Sequence, residues 1–576
     1  MIPHGHRLLH SPPVQRPSRP LSSDVAVAAV VAGVAAVALA SGMNHSALSP
    51  VLPPGAGPIA PFRVAARAAG LDTISPGAQA AVAITAVVAC TFAFLFALRE
   101  AWRGHLPLRL VVWLGVAFIV VATLMPLLFS RDVYSYSMYG RIASVHHANP
   151  YVATPDRFPS DPLFHLVGPQ WRHTEAVYGP GFTALSVLVT RLVGGTTGLI
   201  WAFKAVSGLA AVGTLLLVAR TAARMWPGRA PFAAAMVGWN PVVLFHGVAG
   251  GHNDLLVGLA VAGGLALVAG GTVRRGEMAG NLVPPVADSL HRELLAAAAL
   301  TLGTLVKASA AIPLVLLVTA SVWRRPQGRR ARALAAHAAV IVLIAVAFAA
   351  PFIQTRDPTL GLATLATHQG WLAPTRFFRA TLGALGHALG GHGLETAVET
   401  VVRVVFAAAF VVVFAALVRE TARRVSDGTG EGRGSGAGRA ADGTALTASG
   451  LGAIAQGAGW ACALLLFMLL APVLLPWYAV WVLPLAWTLP RVPRTGLIIL
   501  SGFLAVSQTV AEAVQFPGLF GAILLFGHYV LTPVLFVVLL WLLGDLRRRV
   551  GEGLPLSAVP SGSPERERVA ARADHG

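Results

Sequence analysis

An acidic residue follows a long apolar run in the first quarter of the chain. Asp132 opens the segment DVYSYSMYGR, just after the run VVWLGVAFIVVATLMPLLF. On a helix from 132 to 145, Asp132, Tyr136 and Tyr139 share one face, and the opposite face is apolar. The helix dipole favours an ionised carboxylate at a helix start, and such a carboxylate can accept a proton from a hydroxyl. The sequence therefore predicts a general base at Asp132, with a simple helix cap as the alternative.

Three polar residues stand together in a second short segment, GGHNDLL at 250–256. His252, Asn253 and Asp254 lie in a tight turn between two apolar runs. Side chains of these types can position a sugar or tune a neighbouring acid. A polar turn that caps the following helix is the alternative.

The chain contains only two lysines, Lys204 and Lys307, and both lie at or within apolar runs. Cations inside membrane segments are costly and commonly mark functional sites. An ammonium group is also a point charge suited to phosphate. Both lysines are therefore predicted to bind a phosphate group, with snorkelling of the side chain to the membrane surface as the alternative.

Further polar and aromatic residues occur in segments that we expect on the same side of the membrane. They are Glu175 and Tyr178 in QWRHTEAVYGP, His368 in HQGWLAP, Arg376 and Arg379 after it, and Trp477 and Tyr478 in PWYAVW. Together with Asp132 they predict a cavity with a carboxylate on one wall, cations deeper inside and aromatic rings around it. A lipid-linked phosphosugar fits such a cavity, with its phosphate on lysine and arginine and its sugar near the carboxylate.

Nucleotide and metal sites are not predicted. The chain has no Walker loop and no GxGxxG at a strand-to-helix turn, so a nucleotide-sugar pocket is not indicated. His146 and His147 are adjacent, and adjacent side chains on a helix diverge, which disfavours a shared metal ion. We therefore expect no metal and no cofactor.

The composition indicates a membrane protein. Of 576 residues, 56% are hydrophobic and only 12% are charged, whereas soluble domains carry about 25% charged residues. The net charge is +19, and a strongly basic chain often indicates a nucleic-acid partner. Here, however, the arginines lie in short loops between apolar runs, which is the pattern of cytoplasmic loops. Membrane lipids, and no nucleic acid, are therefore the expected partners.

Charge bias also sets the expected topology. The pattern predicts an all-α protein with about 14 spans, both termini in the cytoplasm and Asp132 on the outer side. We expect three segments: a disordered cytoplasmic tail at 1–23, a transmembrane catalytic domain at 24–543 and a basic cytoplasmic tail at 544–576. Within the domain we expect outer loops at 131–197 and 354–398 and a Gly-rich cytoplasmic linker at 419–457.

Two apolar segments are ambiguous, and the charge rule decides both. If 178–195 crossed the membrane, the arginines after the next run would be translocated, so we expect an amphipathic helix that lies flat on the outer surface. The segment 294–323 has basic residues on both sides. Two short helices that turn at Lys307 keep both basic segments inside, whereas a single crossing does not.

Six segments of the chain point to a known family. They are SRDVYSYSMYGRI, ANPYVATP, WRHTEAVYGP, GWNPVVLFHGVAGGHNDLLVGL, LVKASAAIPL and APVLLPWYAVW, within residues 108–490. In this order they resemble the polyprenol-phosphomannose-dependent α-1,6-mannosyltransferases, which are integral-membrane GT-C glycosyltransferases of actinobacterial envelopes. The GGHND block and the NPY…YGP pair are the more specific parts of the resemblance.

The resemblance implies an enzyme and roles for two residues. Asp132 matches the family's acid after an early span, the base that activates the acceptor hydroxyl, and Lys307 matches its phosphate-binding lysine. The implied donor is polyprenyl-phosphate mannose, the implied acceptor is a lipid-linked mannan, and transfer would invert the anomeric carbon on the outer face of the plasma membrane. One departure is that Ala308 and Ser309 follow Lys307, where relatives commonly have proline.

Two other functions stay open at this point. One is a different GT-C polyprenyl-phosphate-sugar transferase, and the other is a lipid or sugar transporter. Transporters often have repeated halves with polar groups at mid-membrane. The predicted polar groups instead gather towards one face, which favours the transferase.

Overall fold

The fold of the chain is known from a computed structural model. It describes residues 20–270, 286–354, 359–362, 372–431, 438–439, 445–446, 448–511 and 516–557. Helices dominate these residues, and one two-residue antiparallel pair, β1 (Gly438–Arg439) and β2 (Ala445–Leu446), forms the strands. The predicted all-α class is confirmed.

Seventeen α-helices make up the described fold. They are α1 (Leu21–Ser41), α2 (Ala60–Ala68), α3 (Pro76–Trp102), α4 (Leu108–Leu124), α5 (Asp132–Ser144), α6 (Pro180–Leu192), α7 (Thr196–Met225), α8 (Ala230–Gly238), α9 (Asp254–Ala269), α10 (Val286–Thr304), α11 (Ala311–Trp323), α12 (Gln327–Ala349), α13 (Pro374–Glu431), α14 (Ala448–Leu470), α15 (Arg491–Ser507), α16 (Pro517–Phe526) and α17 (Thr532–Gly551). Short 3₁₀ segments, including Ala308–Ala310 and Pro476–Trp481, and a π-helix at Val242–Ala249 connect them.

The helices fit a protein that crosses a membrane many times. In the described part of the chain, seven are long and apolar enough to span, or eight if the bent pair Pro227–Gly238 and Val242–Ala249 counts as one span. Four apolar helices of 10–17 residues, among them α4, α6 and α9, are shorter than the roughly 20 residues that a full crossing needs. The predicted count of about 14 spans is therefore not confirmed, although the polytopic class is.

The predicted hairpin at Lys307 is present. α10 ends at Thr304, Lys307 is extended with φ −148° and ψ 140°, and α11 runs back along α10. Near the start of α10, Glu293 forms ion pairs with Arg324 and Arg325 just after α11. Because these ion pairs join the two ends of the hairpin, Lys307 must lie at its tip.

α6 does not form a span by itself. Its 13 residues extend about 20 Å at 1.5 Å per residue, short of the roughly 30 Å hydrocarbon core. It packs against α5, and Phe182 and Val189 are buried while Leu188 and Leu192 are exposed. The helix therefore belongs to the layer that covers α5, within the segment that we expected to be an outer loop.

The predicted segment boundaries need correction at three places. The expected linker 419–457 is shorter, because α13 continues to Glu431 and α14 begins at Ala448. Glu420 pairs with Arg423 and Arg424 one turn further on, and such pairs support a helix in a Gly-poor stretch. Likewise, α1 begins at Leu21, inside the expected tail 1–23, and α17 continues to Gly551, inside the expected tail 544–576.

Candidate active site

The turn before α5 fixes the position of Asp132. Phe129 adopts φ +61°, a left-handed conformation that costs about 1–3 kcal/mol in a bulky residue. Its backbone N–H donates to the Leu48 carbonyl at 2.7 Å, and its ring stacks on His246 with 4.4 Å between centroids. The Ser130 hydroxyl accepts a hydrogen bond from the Asp132 backbone N–H at 3.1 Å. A strained but anchored turn thus places the carboxylate.

A glycine brings the GGHND turn against this helix. Gly251 has φ +66°, and a Cβ there would lie 2.6 Å from Val133 Cγ2 and 3.4 Å from Lys204 Cγ. Both the backbone conformation and the close approach therefore require glycine. The turn then carries His252 to the face of α5 and starts α9 at Asp254.

Around Asp132, the two segments form one polar cluster. Asp132 Oδ2 lies 3.5 Å from His252 Nδ1, and the Tyr136 hydroxyl lies 3.4 Å from the same nitrogen. Tyr136 also donates to Asn253 Oδ1 at 3.4 Å. The ring of Trp477 stacks on His252 with 3.7 Å between centroids. The Asp132 side chain keeps 20% of its surface exposed, while His252 is fully buried, so the acid is the more accessible of the two groups.

Burial changes the ionisation of both groups. It raises the pKa of Asp132 to about 6, although the positive charge of Lys307 acts in the opposite direction. Burial, and then the charge of Lys307, lower the pKa of His252 well below its usual range. At neutral pH the cluster therefore holds an ionised carboxylate next to a neutral imidazole, and the acid has a pKa suited to general base catalysis near pH 7.

Lys307 binds the carboxylate two residues beyond His252. Its ammonium lies 2.8 and 2.7 Å from the two oxygens of Asp254. The Trp481 indole N–H donates to Asp254 Oδ1 at 2.8 Å, and the Tyr478 ring lies 4.6 Å from the ammonium. All of these side chains are buried. Asp254 therefore orients Lys307, and the segment from His252 to Asp254 connects the lysine to the Asp132 cluster.

A largely apolar cavity of about 310 Å³ opens beside Lys307. Its lining comes from the hairpin tip, the loop after α14 and the segment before α6: Val177, Val306, Lys307, Ala308, Ser309, Leu362, Phe467, Ala471, Pro472, Val473, Tyr478 and Trp481. The Ser309 hydroxyl is buried and has no hydrogen-bond partner among the described residues. The cavity thus offers an ammonium and a free hydroxyl in an otherwise mostly apolar wall.

The structure gives Lys204 other partners than the predicted phosphate. Lys204 is fully buried on α7 and donates to the carbonyls of Met125 and Pro126, and its ammonium lies 4.7 Å from the centre of the Trp201 ring. Those carbonyls follow the last turn of α4, where intrahelical donors are missing. Lys204 therefore caps the end of α4 from inside the protein.

The remaining predicted residues lie at different distances from this centre. Tyr178 is buried with its ring 4.9 Å from that of Tyr136, so it belongs to the cluster. Glu175 is exposed, and Arg379 pairs with Glu399 within α13, which gives it a different partner from the predicted phosphate. Arg376 is half-buried one turn earlier in α13. His368 lies outside the described residues.

Sequence reasoning missed two members of the site. Trp481 orients Asp254 through its indole N–H, and PWYAVW was expected only to supply Trp477 and Tyr478. Ser309 stood out in the sequence as a departure after Lys307, without an assigned role. Its position two residues after the lysine was the available sign that it would also line the hairpin tip.

The comparisons with known proteins decide the family. The family described as "Alpha-(1->6)-mannopyranosyltransferase, N-terminal domain" matches residues 30–325, about half of the chain. The chain belongs to this family. The matched residues include Asp132, the GGHND turn and Lys307, and they end before PWYAVW. The resemblance predicted from the sequence is thereby confirmed.

Three curated relatives are named as certain or probable alpha-(1->6)-mannopyranosyltransferases. The chain is 30% identical to alpha-(1->6)-mannopyranosyltransferase A of Mycobacterium tuberculosis over 299 residues, which cover 50% of the chain and 52% of the relative. It is 35% identical to the Corynebacterium glutamicum protein of that name, over 25% of the chain and 30% of the relative. A probable alpha-(1->6)-mannopyranosyltransferase of Mycolicibacterium smegmatis is 33% identical over 29% of each chain. The match thus spans about half the length of the first relative and less of the other two.

Among solved structures, the apo crystal structure of the Archaeoglobus fulgidus oligosaccharyltransferase resembles the chain. The TM-score is 0.31 at 13% identity, and the likeness covers 79% of the chain and 56% of that structure. A similarity this low carries no argument about substrate or mechanism.

Proposed function

We propose that the chain is an inverting mannosyltransferase that moves mannose from polyprenyl-phosphate mannose to a lipid-linked mannan in α-1,6 linkage, on the outer face of the plasma membrane. One observation carries the proposal. Asp132 and Lys307 belong to one polar network through His252 and Asp254, and Lys307 lines a largely apolar cavity. Family membership supports the sugar and the linkage.

The donor's phosphate and lipid would occupy the cavity beside Lys307. Apolar side chains cover most of its walls, which suits the polyprenyl tail because burying hydrocarbon there is favourable. Lys307 and the Ser309 hydroxyl would bind the phosphate and stabilise the negative charge that it gains on leaving. Asp254 and Trp481 hold the ammonium in place, so little reorganisation is needed when charge develops.

Asp132 would act as the general base. Its carboxylate takes the proton of the acceptor hydroxyl as that oxygen attacks the anomeric carbon of mannose, and the bond from this carbon to the phosphate oxygen breaks with the electron pair leaving on the phosphate. The neutral imidazole of His252 and the Tyr136 hydroxyl would orient the carboxylate. The polar atoms His252 Nε2, Asn253 Nδ2 and Trp477 Nε1 are buried without a partner among the described residues, and sugar hydroxyls would satisfy them.

The direct test is transfer by the purified Asp132→Asn variant with radiolabelled polyprenyl-phosphate mannose and a lipid-linked mannan acceptor. Asparagine keeps the shape but not the basicity, so transfer should fall by about 10²–10⁴-fold, with donor binding retained. Asp156→Asn is the control, because Asp156 is a loop acid that pairs with His173. Wild-type transfer by Asp132→Asn would refute the assigned base, and linkage analysis of the wild-type product tests the α-1,6 bond.

A further inference from the structure

α13 contains a sharp break about fifteen residues after its start. Gly390 has φ −155° and ψ 17°, and Gly391 has φ 68° and ψ −163°. The second conformation is essentially restricted to glycine. The break folds the two arms of α13 against each other, since a Cβ on Gly386 would lie 3.2 Å from the Leu394 carbonyl oxygen. We call residues 387–395 the elbow.

Three side chains with metal-binding atoms converge at the elbow. His387 Nδ1 lies 3.1 Å and His392 Nδ1 lies 3.2 Å from the same oxygen, Oε2 of Glu395. The ligand atoms of the three residues all lie within 4.8 Å of one another. The two histidines lie on opposite sides of the break, whereas Glu395 is one turn beyond His392.

These separations fit one tetrahedral metal ion. Zinc bonds to imidazole nitrogen and carboxylate oxygen at about 2.0–2.2 Å, and a tetrahedron with bonds of that length has ligand atoms about 3.3–3.6 Å apart. The two nitrogen-to-oxygen distances at the elbow are shorter than this by a few tenths of an ångström. Small side-chain rotations would therefore open room for an ion between the three atoms.

The ligand types select the kind of ion. Two imidazoles and one carboxylate suit Zn²⁺, Co²⁺ or Ni²⁺, whereas Mg²⁺ and Ca²⁺ prefer oxygen ligands. His387 and His392 are 49% and 89% exposed, so an ion can enter from solvent and keep water in its fourth position. Protonated histidines paired with Glu395 are the competing account of the same contacts.

We propose that His387, His392 and Glu395 form a binding site for a zinc-like divalent ion that fastens the two arms of α13 at the elbow. The Arg379–Glu399 ion pair joins the same two arms further from the break. The ion would lock the break geometry that Gly391 permits. This proposal is independent of the proposed transferase function, because none of the three residues contacts the Asp132 cluster in the described structure.

The test measures zinc stoichiometry on the full-length chain in detergent, with any affinity tag removed and bound metal stripped by a chelator. Zinc is titrated in competition with a chromophoric chelator at pH 7.5. We expect the wild type to bind one zinc more than His392→Ala or Glu395→Gln, and Co²⁺ to give tetrahedral visible bands in the wild type alone. Millimolar Mg²⁺ should not compete.

His165→Ala is the matched control, since His165 is an exposed histidine outside the elbow, and it should keep the wild-type stoichiometry. Thermal unfolding of each apo variant checks that it folds. If the wild type and both elbow variants bind the same number of zinc ions, the site does not exist and histidine–carboxylate pairing explains the contacts. If stoichiometry falls equally in His165→Ala, the lost zinc was bound by dispersed surface histidines, and the proposal is also overturned.

Discussion

The two lysines of the chain are both buried but have different surroundings. Lys204 donates to the carbonyls of Met125 and Pro126, and its neighbours in the described structure include no acid paired with it. Lys307 is paired with Asp254 and borders an open cavity. The first satisfies backbone groups, whereas the second is held ready beside a space that a substrate can enter. The cavity, rather than burial, therefore distinguishes a candidate phosphate site from a structural cap.

The largest effect expected from this comparison is at Lys307. Lys307→Met should lower kcat/KM for polyprenyl-phosphate mannose by about 10²–10³-fold, as for loss of one preorganised charge-stabilising donor. Donor-dependent transfer kinetics of the purified enzyme measure it. Because the variant leaves Asp254 unpaired, Lys307→Met combined with Asp254→Asn is measured beside it. Recovery of transfer in the double variant would mean that Lys307 only neutralises Asp254.

Lys204→Met should act on stability instead. It leaves two buried carbonyls without their donor, which costs about 1–3 kcal/mol and lowers the Tm of the detergent-solubilised protein. The donor KM should stay at the wild-type value. A KM raised as far as in Lys307→Met, with unchanged Tm, would contradict the separation of the two roles.

The site of Lys307 also differs from that of Lys204 because a titrating acid lies close to it. With the pKa of Asp132 raised to about 6, the carboxylate is ionised above that pH and protonated below it. Transfer should therefore fall about tenfold per pH unit below pH 6 and level off above it. The pH profile of kcat/KM checks this, and Asp132→Glu should shift the midpoint. A flat profile from pH 5 to 7 would argue against a base at this position.

The smallest effect is expected at Ser309. Ser309→Ala removes the free hydroxyl beside Lys307 and should raise the donor KM about threefold to tenfold, as for loss of one hydrogen bond. Ser309→Thr should restore most of the affinity. Thr304→Ala is the control, because that hydroxyl in the same hairpin donates to the Leu300 carbonyl at 2.9 Å. Equal KM values for Ser309→Ala and Thr304→Ala would place the phosphate elsewhere.

Local patterns predicted the elements that carry the site, because these depend on neighbouring residues. The helix predicted at 132–145 is α5 at Asp132–Ser144, and the charge rule predicted the turn at Lys307. The sequence predicted only that the candidate site residues share the outer side of the membrane. The structure brings Asp132, Tyr136 and His252 into contact. Their roles in transfer stay predictions.

Long-range contacts explain what the sequence did not reveal. The role of Lys204 depends on carbonyls 78 and 79 residues away, and no local pattern marks them. The indole of Trp481 reaches Asp254 across 227 residues. The linker was predicted too long because glycine content was given more weight than the Glu420–Arg424 pair that extends α13.

The volume of the cavity beside Lys307 limits what the protein can distinguish in a lipid. A space of about 310 Å³ lies at the small end of the range of ligand pockets, so only the isoprene units nearest the phosphate of the proposed donor would fit within it. The rest of the tail would stay among the acyl chains of the bilayer. Carriers that share these first units but differ in overall length should consequently serve equally well as donors.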